Sequence, residues 1–161
     1  MKNSPFSGTD WTEQWERTKR WHVLLDEVPR RAAFLGADAG LDFVYAFFLN
    51  CYHVQDWVQR SGYRSKAQLA QLFGEPEMEL CRSICHSVKH FERDFGTVTS
   101  TASEQITVGW IGPVAEAKPQ RQPFAGIRWV IKDEQGRSHD MFELADRCME
   151  LWTDFLRDAP L

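Results

Sequence analysis

The chain has 161 residues, of which 43% are hydrophobic and 13% aromatic, and its formal net charge is −4. This length fits a single domain over residues 1–161, and the apolar content is that of a packed globule, which excludes a disordered chain. The weakly acidic balance gives no global attraction to nucleic acid, so any RNA contact would need a local basic patch.

The N-terminal ten residues lack the apolar run of a secretory signal. The most apolar stretch, residues 41–58, is too polar for a membrane span. Five polar residues interrupt it: Asp42, Asn50, His53, Gln55 and Asp56. We therefore expect a cytoplasmic protein without a membrane partner.

The four cysteines form no C-x-x-C pair, and each lies at an apolar position of a helical pattern. This placement favours small core residues over a metal or redox site, and no cofactor is predicted. The four positions are Cys51, Cys81, Cys85 and Cys148.

The hydrophobic period predicts four main helices and one short helix. The first is capped at Thr9 or Asp10. The second is apolar nearly all round, which is typical of the central helix of a bundle. In chain order the helices cover about Trp11–Val28, Leu41–Arg60, Lys66–Phe73, Pro76–Asp94 and Glu143–Arg157.

Between the last two main helices the apolar period becomes two, which predicts strands. The expected strands cover about residues 106–110, 127–132 and 137–141, and the polar, proline-rich segment 112–123 is expected to be a mobile loop. The predicted fold is therefore α+β, a helical bundle with a three-stranded antiparallel meander between its last two main helices.

Two of the predicted helices carry polar residues on one side. On the second helix Asn50, His53 and Asp56 recur every three residues. If it packs beside the helix that starts at Pro76, Asp56 is expected to meet Arg82 or His86, and His53 to lie near Lys89 or His90. We call the candidate site residues the polar seam: His53, Asp56, Arg82, His86, Lys89 and His90.

Three interpretations of the polar seam stay open, because polar groups between helices need partners or water. It is a structural network that fixes helix register, an active or binding site, or a set of scattered surface charges. In the second interpretation the imidazoles move protons, a carboxylate orients one of them, and the cations hold an anion.

A metal at the polar seam is disfavoured. His86 and His90 have the spacing that lets two imidazoles bind one zinc ion from a helix, with His53 or Asp56 as a third ligand. However, Lys89 would repel the cation, and H-S-V-K-H lacks the glutamate of H-E-x-x-H. The chain also lacks G-x-S-x-G and the glycine-rich phosphate and dinucleotide loops.

The segment 51–57, C-Y-H-V-Q-D-W, and the segment 80–91, L-C-R-S-I-C-H-S-V-K-H-F, resemble a group of uncharacterised bacterial proteins. These proteins pair an H-x-x-D-W helix with a helix that ends in Lys-His, and the resemblance covers about residues 41–95. The group implies no activity.

The chain is also similar to HEPN-type helical bundles, dimers in which an arginine, a short spacer and a histidine on a late helix cleave RNA. The family spacer has about four to six residues, whereas three separate Arg82 from His86 and seven separate it from His90. The resemblance implies proton transfer by His86 or His90, charge neutralisation by Arg82 and Lys89, and no metal.

Three functions follow as hypotheses. The first, which we favour, is a non-catalytic helical interaction module that binds a second copy or another protein, and an exposed patch at Trp110, Trp129 or Trp152 would support it. The second is a metal-independent, HEPN-like ribonuclease or RNA-binding protein, which needs the polar seam open to solvent. The third is a small-ligand sensor with an aromatic cavity near Tyr45, Phe48 and Tyr52.

Overall fold

The computed structural model describes residues 10–28, 37–89, 103–107, 126–133 and 135–157. The helices in these ranges are α1 (Trp11–Leu25), α2 (Ala37–Ser61), α3 (Lys66–Leu72), α4 (Pro76–Lys89) and α5 (Met141–Arg157). The strands are β1 (Ser103–Thr107), β2 (Gly126–Lys132) and β3 (Ser138–Asp140). The predicted α+β class, mainly helical with a small antiparallel sheet, is confirmed, while the loop predicted over 112–123 lies outside the described residues.

The helix boundaries follow local sequence signals. The Asp10 carboxylate caps α1 by accepting the Thr12 N–H at 2.9 Å, and Pro76 begins α4 as predicted. At the end of α2, Gly62 has a φ of +71°, which a side chain with Cβ rarely adopts. The beginning of α2 was predicted too late, because residues 37–40, expected to form a connection, are its first turn.

The helix α2 is the centre of the molecule, as its all-round apolar pattern predicts. It packs against α1, α4 and α5, and α5 also contacts β2. The fully buried core therefore runs along α2, with its largest side chains contributed by Phe47, Phe48 and, from α5, Trp152.

The face that α1 presents to α2 includes two buried polar residues, Gln14 and Thr18. Gln14 donates from Nε2 to the Asn50 main-chain oxygen at 3.0 Å, and Thr18 donates from Oγ1 to the same oxygen at 3.2 Å. Asn50 therefore faces α1, so it is separated from the polar residues that follow it along α2.

The strands pair in the order β1, β2, β3, and both pairs are antiparallel. Ile106 lies opposite Ile127, and Val130 lies opposite Asp140. The strand β1 begins three residues before the predicted position, and residues 108–110 lie outside the described part. Since α5 follows β3 directly, the sheet is joined to the helical core through Asp140.

Within the described residues, no helix combines the length and the apolar character that crossing a membrane would require.

Candidate functional site

The surface between α2 and α4 brings two histidines of the polar seam to one phenol ring. The ring centroid of Tyr52 lies 5.7 Å from that of His53 and 5.5 Å from that of His86. The Tyr52 hydroxyl is 3.4 Å from Nε2 of His86, at the long end of hydrogen-bond distance. Imidazoles from two different helices therefore flank the same phenol ring, and we call these residues the imidazole cluster: Tyr52, His53, Asp56 and His86.

Asp56 orients one of these imidazoles. Its Oδ2 lies 3.1 Å from Nδ1 of His53. A carboxylate at Nδ1 favours the tautomer in which that nitrogen carries the proton, and the basic lone pair is then on Nε2. His53 and Asp56 thus form a carboxylate–imidazole pair of the kind used in general base catalysis.

The pairing of Asp56 differs from the one predicted. It was expected to meet Arg82 or His86 across the helix interface, but its partner is His53, three residues earlier on α2. Arg82 likewise pairs within its own helix, with Glu79. Both pairs join residues three apart, which are neighbours on a helix surface, so short carboxylate side chains reach them without crossing to another helix.

The imidazole cluster is open to solvent. His86 is exposed, the His53 side chain retains 35% of its accessible surface, and that of Asp56 retains 53%. The two imidazoles and the carboxylate are therefore accessible from solvent. The side chain of Lys89 and all of His90, the remaining residues of the polar seam, lie outside the described part of the chain.

The core contains a second cluster, of thiols. The Sγ atoms of Cys51, Cys81 and Cys148 all lie within 4.8 Å of one another, and all three residues are fully buried. They come from α2, α4 and α5, and we call them the three-thiol cluster. The prediction of buried cysteines is confirmed, but nothing in the spacing of three such distant positions indicated that they meet.

Hydrogen bonds within the three-thiol cluster shift the pKa values of its sulfurs in opposite directions. Burial raises the pKa of the Cys51 thiol, but hydrogen bonds from Cys148 and Cys81 outweigh burial and lower it. The corresponding hydrogen bonds to Cys148 and Cys51 raise the pKa of Cys81 well above its ordinary value. The indole of Trp152 also lowers the pKa of Cys51, and its buried Nε1–H has no hydrogen-bond partner in the described part of the chain.

A third polar site joins α1 to α5. Nε2 of His22 lies 2.7 Å from Oδ1 of Asp146, and both residues line an open pocket of about 470 Å³. The sequence pattern does not indicate this pair, because its two residues are 124 positions apart. The remaining lining residues come from α5: Met149, Glu150, Thr153, Asp154 and Arg157. This pocket contains none of the aromatic residues expected for a ligand sensor.

Comparison with protein-family models, with curated proteins and with solved structures finds no match for this chain.

Two of the three tryptophans whose exposure would support a protein interface belong to the core. Trp129 is 2% exposed and Trp152 is 0% exposed, and Trp110 lies outside the described residues. Among the described residues, the large hydrophobic side chain that is exposed is Val23, at 64%. A single exposed valine is ordinary for a protein surface.

Proposed function

We propose that this protein is a metal-independent ribonuclease whose acid–base pair is His53 and His86. The observation that carries the proposal is the placement of both imidazoles around the ring of Tyr52, 5.7 and 5.5 Å from its centroid. Two imidazoles in one site provide a general base and a general acid, and ribose supplies its own nucleophile. The reaction therefore needs no other group for proton transfer.

In the proposed reaction, Nε2 of His53 removes the proton of a ribose 2′-hydroxyl, while Asp56 holds the ring through Nδ1. The 2′-oxygen forms a bond to the adjacent phosphorus, and the bond from phosphorus to the 5′-oxygen breaks. His86 gives a proton to that leaving oxygen. The products are a 2′,3′-cyclic phosphate and a 5′-hydroxyl, and DNA is not a substrate because it lacks the nucleophile.

Arg82 supports the negative charge that grows on the phosphate. It precedes His86 by four residues on α4, so the two side chains share one face of that helix. Its side chain is 43% exposed, and its guanidinium pairs with Glu79 on the surface. An exposed pair of this kind contributes little to stability, so a phosphate can replace the carboxylate at small cost.

The proposal keeps the expectation of a HEPN-like RNA enzyme in the bacterial cytoplasm, with a second copy of the chain as its partner. It replaces the non-catalytic interaction module as the leading hypothesis, because Trp129 and Trp152 are buried whereas the imidazole cluster is open to solvent.

The test is cleavage of a 5′-labelled, mixed-sequence single-stranded RNA by the purified chain in EDTA. We expect fragments that end in 2′,3′-cyclic phosphate, and no cleavage of the same sequence made with 2′-deoxyribose. His53→Ala and His86→Ala should each slow cleavage by about 10²- to 10⁴-fold. The dependence of the rate on pH should be bell-shaped.

The matched control is His139→Ala, which removes a partly exposed histidine outside the imidazole cluster and should cleave at the wild-type rate. Circular dichroism verifies that each variant is folded. If RNA stays intact with the wild type, or if folded His53→Ala and His86→Ala cleave like it, the ribonuclease proposal is wrong.

A further inference from the structure

The sulfurs of the three-thiol cluster are arranged as metal ligands are, and the burial of cysteines does not by itself account for this arrangement. One sulfur comes from each of three helices, and all pairs of Sγ atoms lie within 4.8 Å. Cys85 offers an internal comparison, since it is equally buried on α4 but is not part of this group. Core packing does not require three sulfurs side by side, because any small apolar side chain can fill the same space.

A second, independent feature points to a charged occupant. Nε1 of Trp152 is fully buried and has no hydrogen-bond partner in the described part of the chain, whereas buried polar groups normally have one. Trp152 follows Cys148 by four residues on α5, so the two side chains lie on the same face of that helix. An N–H dipole near a sulfur ligand is a common outer contact of metal-bound thiolates, because it stabilises their negative charge.

We propose that Cys51, Cys81 and Cys148 bind a single copper(I) ion through their three sulfurs. Soft sulfur ligands select copper(I), zinc or iron–sulfur clusters. Structural zinc normally takes four ligands, and the described residues supply three. Copper(I) accepts three sulfur ligands in one plane, which matches the number of sulfurs that converge here.

The geometry requires only a small contraction. A metal–sulfur distance of about 2.3 Å in a trigonal arrangement places the sulfurs about 4 Å apart, somewhat closer than the 4.8 Å limit of the cluster. Two of the thiols are already oriented by main-chain acceptors. Cys81 lies 3.8 Å from the oxygen of Phe48, and Cys148 lies 3.6 Å from that of Glu77.

Binding releases the proton of each thiol that coordinates the ion to solvent and involves no change of oxidation state. Since no sulfur reaches the surface, the ion enters when the helices separate locally or while the chain folds. An ion bound to the folded form alone raises the melting temperature. This inference does not depend on the ribonuclease proposal.

The test is anaerobic titration with copper(I) in competition with a bathocuproine chelator, performed on folded protein and on protein refolded with the ion. We expect one copper per chain and a higher melting temperature. Cys51→Ala, Cys81→Ala and Cys148→Ala should each lower the affinity at least tenfold. The matched control Cys85→Ala, which also truncates a fully buried cysteine, should bind as tightly as the wild type.

Several results would overturn the copper site. They are an absence of bound copper after refolding, equal affinity in all four cysteine variants, and displacement of copper by an equal concentration of zinc. Loss of folding in one cysteine variant leaves the test intact, because the other two variants and the Cys85→Ala control report independently.

Discussion

The hydroxyl of Tyr52 on α2 lies 3.4 Å from Nε2 of His86 on α4, 34 residues further along the chain. The same ring packs edge-on against Phe73, with centroids 5.7 Å apart. Tyr52 therefore contacts the core on one side and the imidazole of His86 on the other, so its ring and its hydroxyl can be tested separately.

Replacing Tyr52 with Phe keeps the ring and removes only the hydroxyl. We expect the free energy of unfolding, from urea denaturation, to change by less than about 1 kcal/mol, while RNA cleavage falls by roughly tenfold because His86 loses a positioning contact. Tyr63→Phe is the control. The Tyr63 hydroxyl donates to the Leu156 oxygen at 2.8 Å. The Tyr63→Phe variant should therefore lose about 1 kcal/mol of unfolding free energy and keep its activity. Equal cleavage by both variants would contradict this role for Tyr52.

The change Asp56→Asn tests the orientation of His53. The amide keeps the shape of the carboxylate, but it no longer stabilises an imidazolium and can reverse the hydrogen bond to Nδ1. Cleavage should fall by about 10²-fold or more, with a change in unfolding free energy below about 1 kcal/mol, because the pair is exposed. Gel assays of RNA cleavage and urea denaturation measure the two effects. A large loss of stability instead would indicate a structural pair.

Arg64 is predicted to be a structural residue. It is 6% exposed, and its Nη2 donates to the Phe155 oxygen at 2.6 Å near the end of α5. Charged hydrogen bonds of this type contribute about 1.5–3 kcal/mol, so Arg64→Ala should lower the free energy of unfolding by roughly that amount. Arg64→Lys should restore only part of it, because an ammonium lacks the planar fork. Arg60→Ala, at an exposed position, is the control for urea denaturation and should change stability by less than about 0.5 kcal/mol.

The hairpin between β2 and β3 should make the free energy of unfolding depend on pH in the acid range. Burial raises the pKa of Asp133, but hydrogen bonds from His139 and Arg137 outweigh it and lower that pKa far below the ordinary 3.8. The stabilisation is therefore complete above pH 3.8 and is lost as the pH falls through the lowered pKa. Asp133→Asn should be less stable than the wild type at pH 7, and the difference should shrink toward pH 2.

Thermal unfolding at several pH values measures this difference. Asp154→Asn is the control. Asp154 and its partner Arg157 are each 70% exposed, so this substitution should change the thermal stability little at any pH. A gap between wild type and Asp133→Asn that stays constant from pH 7 to pH 2 would contradict the prediction.

Local sequence signals determined much of the helical framework. The all-round apolar pattern of residues 41–60 predicted the central helix, Pro76 predicted the first residue of α4, and the face spacing of Cys81 and Cys85 predicted their burial. These features depend on a residue and its neighbours within one or two turns, and the sequence contains that information directly.

The partners of the polar and sulfur groups were decided only by the tertiary structure. Gln14 and Thr18 are buried because Asn50 provides their acceptors, and Cys51 meets Cys148 only because α2 and α5 pack together. A hydrophobic period indicates which face of a helix is buried, but it does not indicate which distant segment covers that face. The chemistry of this protein depends on those distant pairings, whereas its helices depend on local ones.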